Sequence, residues 1–263
     1  MTFELRIARK YLAYLLRSNN RHAVHSPFVY ALINEVLRDK RKFYAFELIE
    51  KRRRALLADH STIQITDLGA GSSLQRARER RVWEIARYAA KSPKYGRLLF
   101  RLAHYFKPEE ILELGTSLGI STAYLASARK EARVITLEGS REIASIARET
   151  FRMCEVPNVE QIDGNFDDTL GPALLGLKKL DMAFIDGNHR KEPTLRYFSQ
   201  CLTRTHPGSV LIFDDIHWTA EMESAWKEIS SHPSVTLSID LFFVGLVFFR
   251  EEFREKQHFV LRH

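Results

Sequence analysis

Ile111-Leu112-Glu113-Leu114-Gly115-Thr116-Ser117-Leu118-Gly119-Ile120-Ser121 is the stretch that decides the fold of this chain. Ile111–Leu114 reads as a short β-strand and Ser121–Lys130 as a helix, so the two glycines stand where a strand turns into a helix. Gly115 permits a sharp turn at the strand end, and Gly119 lets the next helix approach closely. Such a loop presents a ligand to the carboxyl edge of the strand and the helix N-terminus. Nineteen residues after Gly119, the next strand ends at Glu138. A carboxylate there can accept hydrogen bonds from both hydroxyls of a ribose.

Outward from this loop the chain alternates. β-type runs at Val134–Leu137, Val159–Ile162, Met182–Ile185 and Val210–Phe213 are mostly followed by helical stretches, near Arg141–Cys154, Thr194–Thr203 and Ala220–Ser231. Alternation of this kind predicts a mostly parallel sheet covered by helices on both faces. Val235–Asp240 and Val244–Phe249 then come with no helix between them, and a connection that tight joins only antiparallel strands. The expected fold class is therefore α/β: a Rossmann-like, seven-stranded, mostly parallel sheet with a C-terminal antiparallel hairpin strand, over residues 93–263. Residues 1–92 read as a mainly helical extension or cap, with apolar residues at helical spacing and Pro27 opening a helix. Helices are expected near Arg81–Lys91 and Tyr95–Tyr105.

The bulk numbers exclude several classes. The chain has 263 residues, 45% of them hydrophobic, enough for a packed core rather than disorder. No signal peptide is recognisable in Met1–Lys10, which four charged residues interrupt. The longest apolar run, Leu241–Phe249, falls short of the about 20 residues a membrane span needs, so no span is expected and that run reads as buried sheet. Two cysteines, Cys154 and Cys201, imply no disulfide framework, and a cytoplasmic location is the default. The formal net charge of +7 leaves a nucleic-acid partner open. Its clusters at Arg38–Lys42, Lys51–Arg54 and Arg76–Arg81 read more simply as solvated helix faces.

A second glycine stretch, Ile65-Thr66-Asp67-Leu68-Gly69-Ala70-Gly71-Ser72-Ser73, also looks like a cofactor loop. The residues after it read as arginine-rich helix, with no second strand and no acid at the right distance. An extended segment ending in a glycine turn is the preferred reading. A plain dinucleotide-binding domain competes for the 111–121 loop, but the tighter G-x-G-x-x-G spacing and a Walker lysine are both absent.

ELGTSLGIS with Glu138 resembles the first two motifs of class I S-adenosylmethionine-dependent methyltransferases, and more narrowly the small-molecule, catechol-type O-methyltransferases. The resemblance covers about residues 93–250. It implies S-adenosylmethionine as cofactor, with Glu113, Gly115, Thr116, Ser117, Gly119 and Ser121 lining its site and Glu138 holding the ribose. Gly164-Asn165 would stand near the adenine, with Asp163 as the alternative to Asn165.

The fourth strand ends in Asp186-Gly187-Asn188-His189 and the fifth in Asp214-Asp215-Ile216-His217-Trp218. Carboxylates gathered at strand ends suit Mg²⁺ or a similar divalent cation. The resemblance implies Asp186, Asp214 and Asp215 as its ligands, with Asp186 also near the cofactor. It places His189 where those enzymes carry a lysine base, so His189 and Asp186 are the candidate catalytic pair. Without a metal, Asp186 would cap its loop and the other two would bind backbone amides. His22, Val24, His25, Ser26, Pro27 and Phe28 form a cluster that reads as helix capping or as a pocket lid. Trp218 reads as a pocket cover or as core.

The implied activity is O-methylation of a small hydroxylated acceptor. RNA or protein methylation, and a non-catalytic S-adenosylmethionine-binding module, are the alternatives. The oligomeric state is open, and a homodimer is compatible with the sequence.

Overall fold

The computed structural model describes residues 3–18, 25–66 and 77–263. In chain order these form helix α1 (Phe3–Arg17), helix α2 (Pro27–Leu32) running into a π-helical turn (Ile33–Leu37), and helix α3 (Tyr44–Leu57). Strands β1 (Thr62–Thr66) and β2 (Ala77–Arg81) and helices α4 (Val82–Tyr88) and α5 (Pro93–Phe106) come next. The alternating part comprises β3 (Glu110–Leu114), α6 (Ile120–Ala128), β4 (Arg133–Glu138), α7 (Arg141–Met153), β5 (Val159–Asp163), α8 (Phe166–Leu175), β6 (Met182–Ile185), α9 (Lys191–Leu202), β7 (Val210–Asp214) and α10 (Ala220–Ser231). Strands β8 (Leu237–Asp240), β9 (Val244–Phe248) and β10 (Gln257–Val260) complete it. The architecture is the expected Rossmann-like α/β class, and the chain divides into two compact units, Arg38–Leu177 on one side and Met1–Leu37 with Lys178–His263 on the other.

In the unit Arg38–Leu177, β3, β4 and β5 run parallel in that order, with Leu114 opposite Leu137 and Glu138 opposite Asp163. Ile111, Leu112, Val134, Ile135 and Leu137 are buried, the near-continuous apolar pattern of strands covered on both faces. Three short side-chain ties bind the layers. Tyr124 on α6 donates to Glu50 on α3 at 2.7 Å, Arg52 on α3 donates to Thr150 on α7 at 3.1 Å, and the Asn158 amide donates to the carbonyls of Ala126, Arg129 and Ala132.

β1 and β2 form a separate antiparallel pair, Thr62 opposite Arg81 and Thr66 opposite Ala77. This corrects the expectation that the arginine-rich stretch after the second glycine loop is helical. Arg and Glu favour helices as isolated residues, but the β1 edge offers 77–81 a hydrogen-bonded ladder, and pairing overrides that weak preference. Ile65 and Thr66 are extended as expected, at the end of β1. Asp67–Ser73 lies outside the described residues.

In the other unit the strand order is β10-β8-β9-β7-β6. β6 and β7 are parallel, β9 lies antiparallel to both β7 and β8, and the expected terminal hairpin is present as β8–β9. β10 is an addition to the seven expected strands and pairs parallel with β8, His258 opposite Ser238. α8 is also additional to the expected helices, and it holds Pro172 inside the helix. α10 begins at Ala220 as expected, since the Thr219 hydroxyl accepts from the Met222 N–H at 3.1 Å. Ser26 caps α2 in the same way, and Phe28 packs edge-on against Phe248 with the Arg250 guanidinium above it. That accounts for half of the His22–Phe28 cluster as packing; His22 and Val24 lie outside the described residues. Both cysteines are free and buried, and burial pushes their thiols up, to about 11 for Cys154 and about 12 for Cys201.

The reversed strand depends on one close approach. A Cβ at Gly245 would lie 2.5 Å from the Trp226 ring of α10. Gly245→Ala should therefore destabilise the chain by about 1–3 kcal/mol through overpacking, read as a lower urea midpoint. Pairing it with Trp226→Leu should cost less than the two single changes added together; strict additivity would refute the contact.

Candidate functional site

The loop after β3 is shaped by where its amides go. The N–H groups of Gly115 and Thr116 both donate to the Leu137 carbonyl, at 3.0 and 3.1 Å, which folds the turn over the end of β4. Three residues then take positive φ: Gly115 at 100°, Ser117 at 47° and Gly119 at 80°. Gly119 donates to Thr116 O and accepts from Ala123 N–H, so it starts α6. It must be glycine for a second reason, because a Cβ there would lie 2.7 Å from Phe151 and 3.3 Å from Ala147 on α7. The close approach at Gly119 is thus to α7, the helix after β4, and not to the next helix as the sequence suggested.

Glu138 is aimed into this turn. Its Oε2 accepts from the Ser117 N–H at 2.8 Å and its Oε1 from the Ser140 N–H at 3.0 Å. Burial pushes its carboxyl above the ordinary range, and the amides of Ser140, Ser117 and Gly139 pull it back. A carboxylate offers about four lone-pair directions, so with these amides in place Glu138 can still accept from a ligand hydroxyl. Beside it, the Ser117 hydroxyl oxygen is buried with no hydrogen-bond partner among the described residues. An orphaned buried hydroxyl at the centre of a turn is a place for a ligand's polar group.

Glu113 stands behind the loop and is fully buried. Its Oε2 accepts from the hydroxyls of Thr122 on α6 and, at 2.6 Å, of Thr136 on β4. Thr116 is buried too, its hydroxyl 2.6 Å from that of Thr136. These residues brace the turn from beneath. Burial raises the Glu113 carboxyl to about 7, against the opposing effect of the Thr122, Thr136 and Ser121 hydroxyls. At the next strand end, Gly164 donates to Glu138 O at 2.8 Å, and the Asn165 side-chain oxygen caps α8 by accepting from Asp167 N–H. Any contact of Asn165 with an adenine would then come through its NH₂. Asp163 is occupied by Arg148 and by Gln161.

The other unit carries the second set of candidate residues. Asp186 follows β6, and His189 Nε2 lies 3.6 Å from its Oδ1, with Asp186 10% and His189 38% exposed at the side chain. The turn between them depends on Asn188 at φ 60°, whose amide lies 3.3 Å from the Tyr197 hydroxyl. Asp214 ends β7 and is buried, and Asp215 takes φ 54° in the turn beyond it. Among the described residues, no three His, Cys, Asp or Glu side chains gather as a cation site. Asp186, Asp214 and Asp215 therefore do not fit a ready-made metal cage in this conformation.

His217 has a different job from the one its sequence position suggests. Its Nε2 meets Asp240 at 2.7 Å and its Nδ1 meets Glu223 at 3.2 Å, while its ring stacks on Phe242. Lys10 joins the same group, 2.8 Å from Glu223 and 3.2 Å from the His217 carbonyl. With both ring nitrogens engaged, His217 fastens α1, α10 and the terminal hairpin together. No spacing in the sequence links Lys10, Glu223 and Asp240, so only the fold reveals this clamp. Trp218 is 39% exposed.

Residues 112–216 match the protein family described as a methyltransferase domain. A catechol O-methyltransferase from Niastella koreensis is 36% identical over 129 residues, which is 48% of this chain and 57% of that protein. One from Mycobacterium tuberculosis is 34% identical with the same coverage. The chain thus spans little more than half the length of these curated relatives. An O-methyltransferase from Bacillus cereus, solved in complex with SAH, shares the fold with a TM-score of 0.55 at 23% identity, covering 84% of this chain and 97% of that one.

The buried Glu113 makes stability depend on pH. Its folded pKa lies above the unfolded value of 4.5, so the folded state holds the proton more tightly between 4.5 and about 7. The stabilisation is present in full below pH 4.5 and is lost as pH rises through about 7. Denaturation series across that window should show this decline, and Glu113→Gln should flatten it; an unchanged slope in the variant would contradict the assignment.

Proposed function

We propose that this chain, whose residues 112–216 match a methyltransferase domain family, transfers the methyl group of S-adenosylmethionine to a hydroxyl oxygen of a small molecule. One observation carries the cofactor half of this proposal: the Glu138 carboxylate and the orphaned Ser117 hydroxyl lie in one turn, the Glu138 oxygens already held by two amides. Oxygens fixed in this way are preorganised acceptors for the two hydroxyls of a ribose. Asn165, which caps α8, is the proposed adenine contact. The resemblance of the matched region to catechol O-methyltransferases supports a hydroxyl acceptor.

When bound, S-adenosylmethionine supplies a methyl group made electrophilic by the sulfonium. His189, whose ring lies 3.6 Å from the Asp186 carboxylate, takes the proton of the acceptor hydroxyl. The acceptor oxygen then forms the new C–O bond as the S–CH₃ bond breaks, its electron pair staying on sulfur. No step is routed through a divalent cation, since Asp186, Asp214 and Asp215 are not gathered as ligands. Residues 1–92 are the proposed acceptor-selecting part of the chain.

Titration calorimetry with S-adenosylmethionine tests the cofactor half. Glu138→Ala should weaken binding about 10- to 150-fold, as loss of charged hydrogen bonds costs ~1.5–3 kcal/mol; unchanged affinity would overturn the assignment. A methyl-transfer screen against catechols, sugars and bulk tRNA tests the acceptor. His189→Gln should lower kcat by ~10²–10⁴ while leaving cofactor affinity intact. Cofactor binding without transfer to any of them would favour a non-catalytic module.

A further inference from the structure

Helix α1 has two working faces, and the hairpin clamp uses only one. On the inner face Tyr14 is buried, tilts against Phe242 and donates its hydroxyl to the Leu261 carbonyl, while Lys10 reaches Glu223. On the outer face Leu5, Leu12 and Leu16 are 60%, 62% and 89% exposed. At 100° per residue these three leucines fall within an arc of about 40°, directly opposite Tyr14. Ala8 and Ala13 are exposed beside them, exposed Arg9 borders the stripe, and exposed Arg17 lies about 100° further round the helix than Leu16. Helix α1 contains Arg6, Arg9, Lys10 and Arg17 against a single acid, Glu4.

A leucine stripe that stays out of the core of its own chain needs another explanation than folding. Leucines exposed to this degree present roughly 300–400 Å² of apolar surface, the size of patch that monomers keep for a partner. We propose that the partner is an anionic lipid bilayer, on which α1 lies flat. The leucines enter the boundary between headgroups and acyl chains, and Arg9 and Arg17 pair with lipid phosphates. Charge complementarity and area favour this occupant over a second copy of the chain. A second copy would carry the same basic excess into the seam, four basic residues of α1 against its one acid. The patch also falls well short of the ~800 Å² per side that a stable protein pair buries. Among the described residues no helix is long and apolar enough to cross a membrane, and a surface-lying helix needs none.

The test is co-sedimentation of the full chain with vesicles of phosphatidylcholine alone or mixed with phosphatidylglycerol, at low and high salt. Binding should be strong to the mixed vesicles, weak to phosphatidylcholine alone, and reduced by salt. Leu12→Glu with Leu16→Glu should lower it at least tenfold, and Arg9→Glu with Arg17→Glu should lower it about tenfold on the anionic vesicles. These positions are exposed, so thermal midpoints and cofactor affinity should match the parent chain. The proposal is overturned if the parent chain stays in the supernatant with both vesicle types, or if the double leucine variant binds as the parent does. A dimer in sedimentation equilibrium that dissociates in the leucine variant would overturn it too, in favour of self-association.

Discussion

The Glu138 carboxylate, held between the amides of Ser117 and Ser140, fixes the geometry on which the rest of the cofactor loop depends. Parallel pairing of β3 and β4 sets Leu114 opposite Leu137, so the next residues, Gly115 and Glu138, emerge at the same level of the sheet. The turn then has one way to satisfy its donors: two amides go to the Leu137 carbonyl and the third to Glu138. Positive φ at Gly115, Ser117 and Gly119 is what this arrangement requires of the backbone. A non-glycine residue in that region stores strain, and Ser117 is kept there by its hydrogen bond to the carboxylate.

Beneath the turn the same logic runs through buried oxygens. Glu113, Thr116, Thr122 and Thr136 form a buried polar seam joining β3, the loop, α6 and β4. Both hydroxyl bonds go to Glu113 Oε2, while its Oε1 is buried with no hydrogen-bond partner among the described residues, so the seam braces the loop through one carboxylate oxygen. The Lys10–Glu223–His217–Asp240 group plays the corresponding part in the other unit, tying a helix from the start of the chain to the reversed strands at its end.

The Rossmann-like class and the cofactor loop were legible because they rest on local patterns: short apolar runs, helical periodicity, and glycines at a strand-to-helix junction. The antiparallel hairpin was legible because the link between β8 and β9 is too short for a crossover. Elements whose state depends on distant partners were not. β2 is a strand only because β1 lies beside it; β10, Gln257–Val260, is short and borders a charged stretch; and α8 keeps Pro172 inside a helix. The site divides in the same way. The Gly115–Gly119 turn and Glu138 emerged from spacing, whereas the engagement of His217 by Asp240 and Glu223 joins residues that no motif connects.

The central claim is that the turn and the Glu138 carboxylate together receive an adenosyl ligand. Amide chemical shifts of the isotopically labelled chain, tracked as S-adenosylhomocysteine is added, test it most directly. The account predicts that the resonances of Ser117, Gly119, Ser140 and Gly164 move first and furthest, saturating together. Shifts that leave these four amides unmoved while others saturate would contradict it.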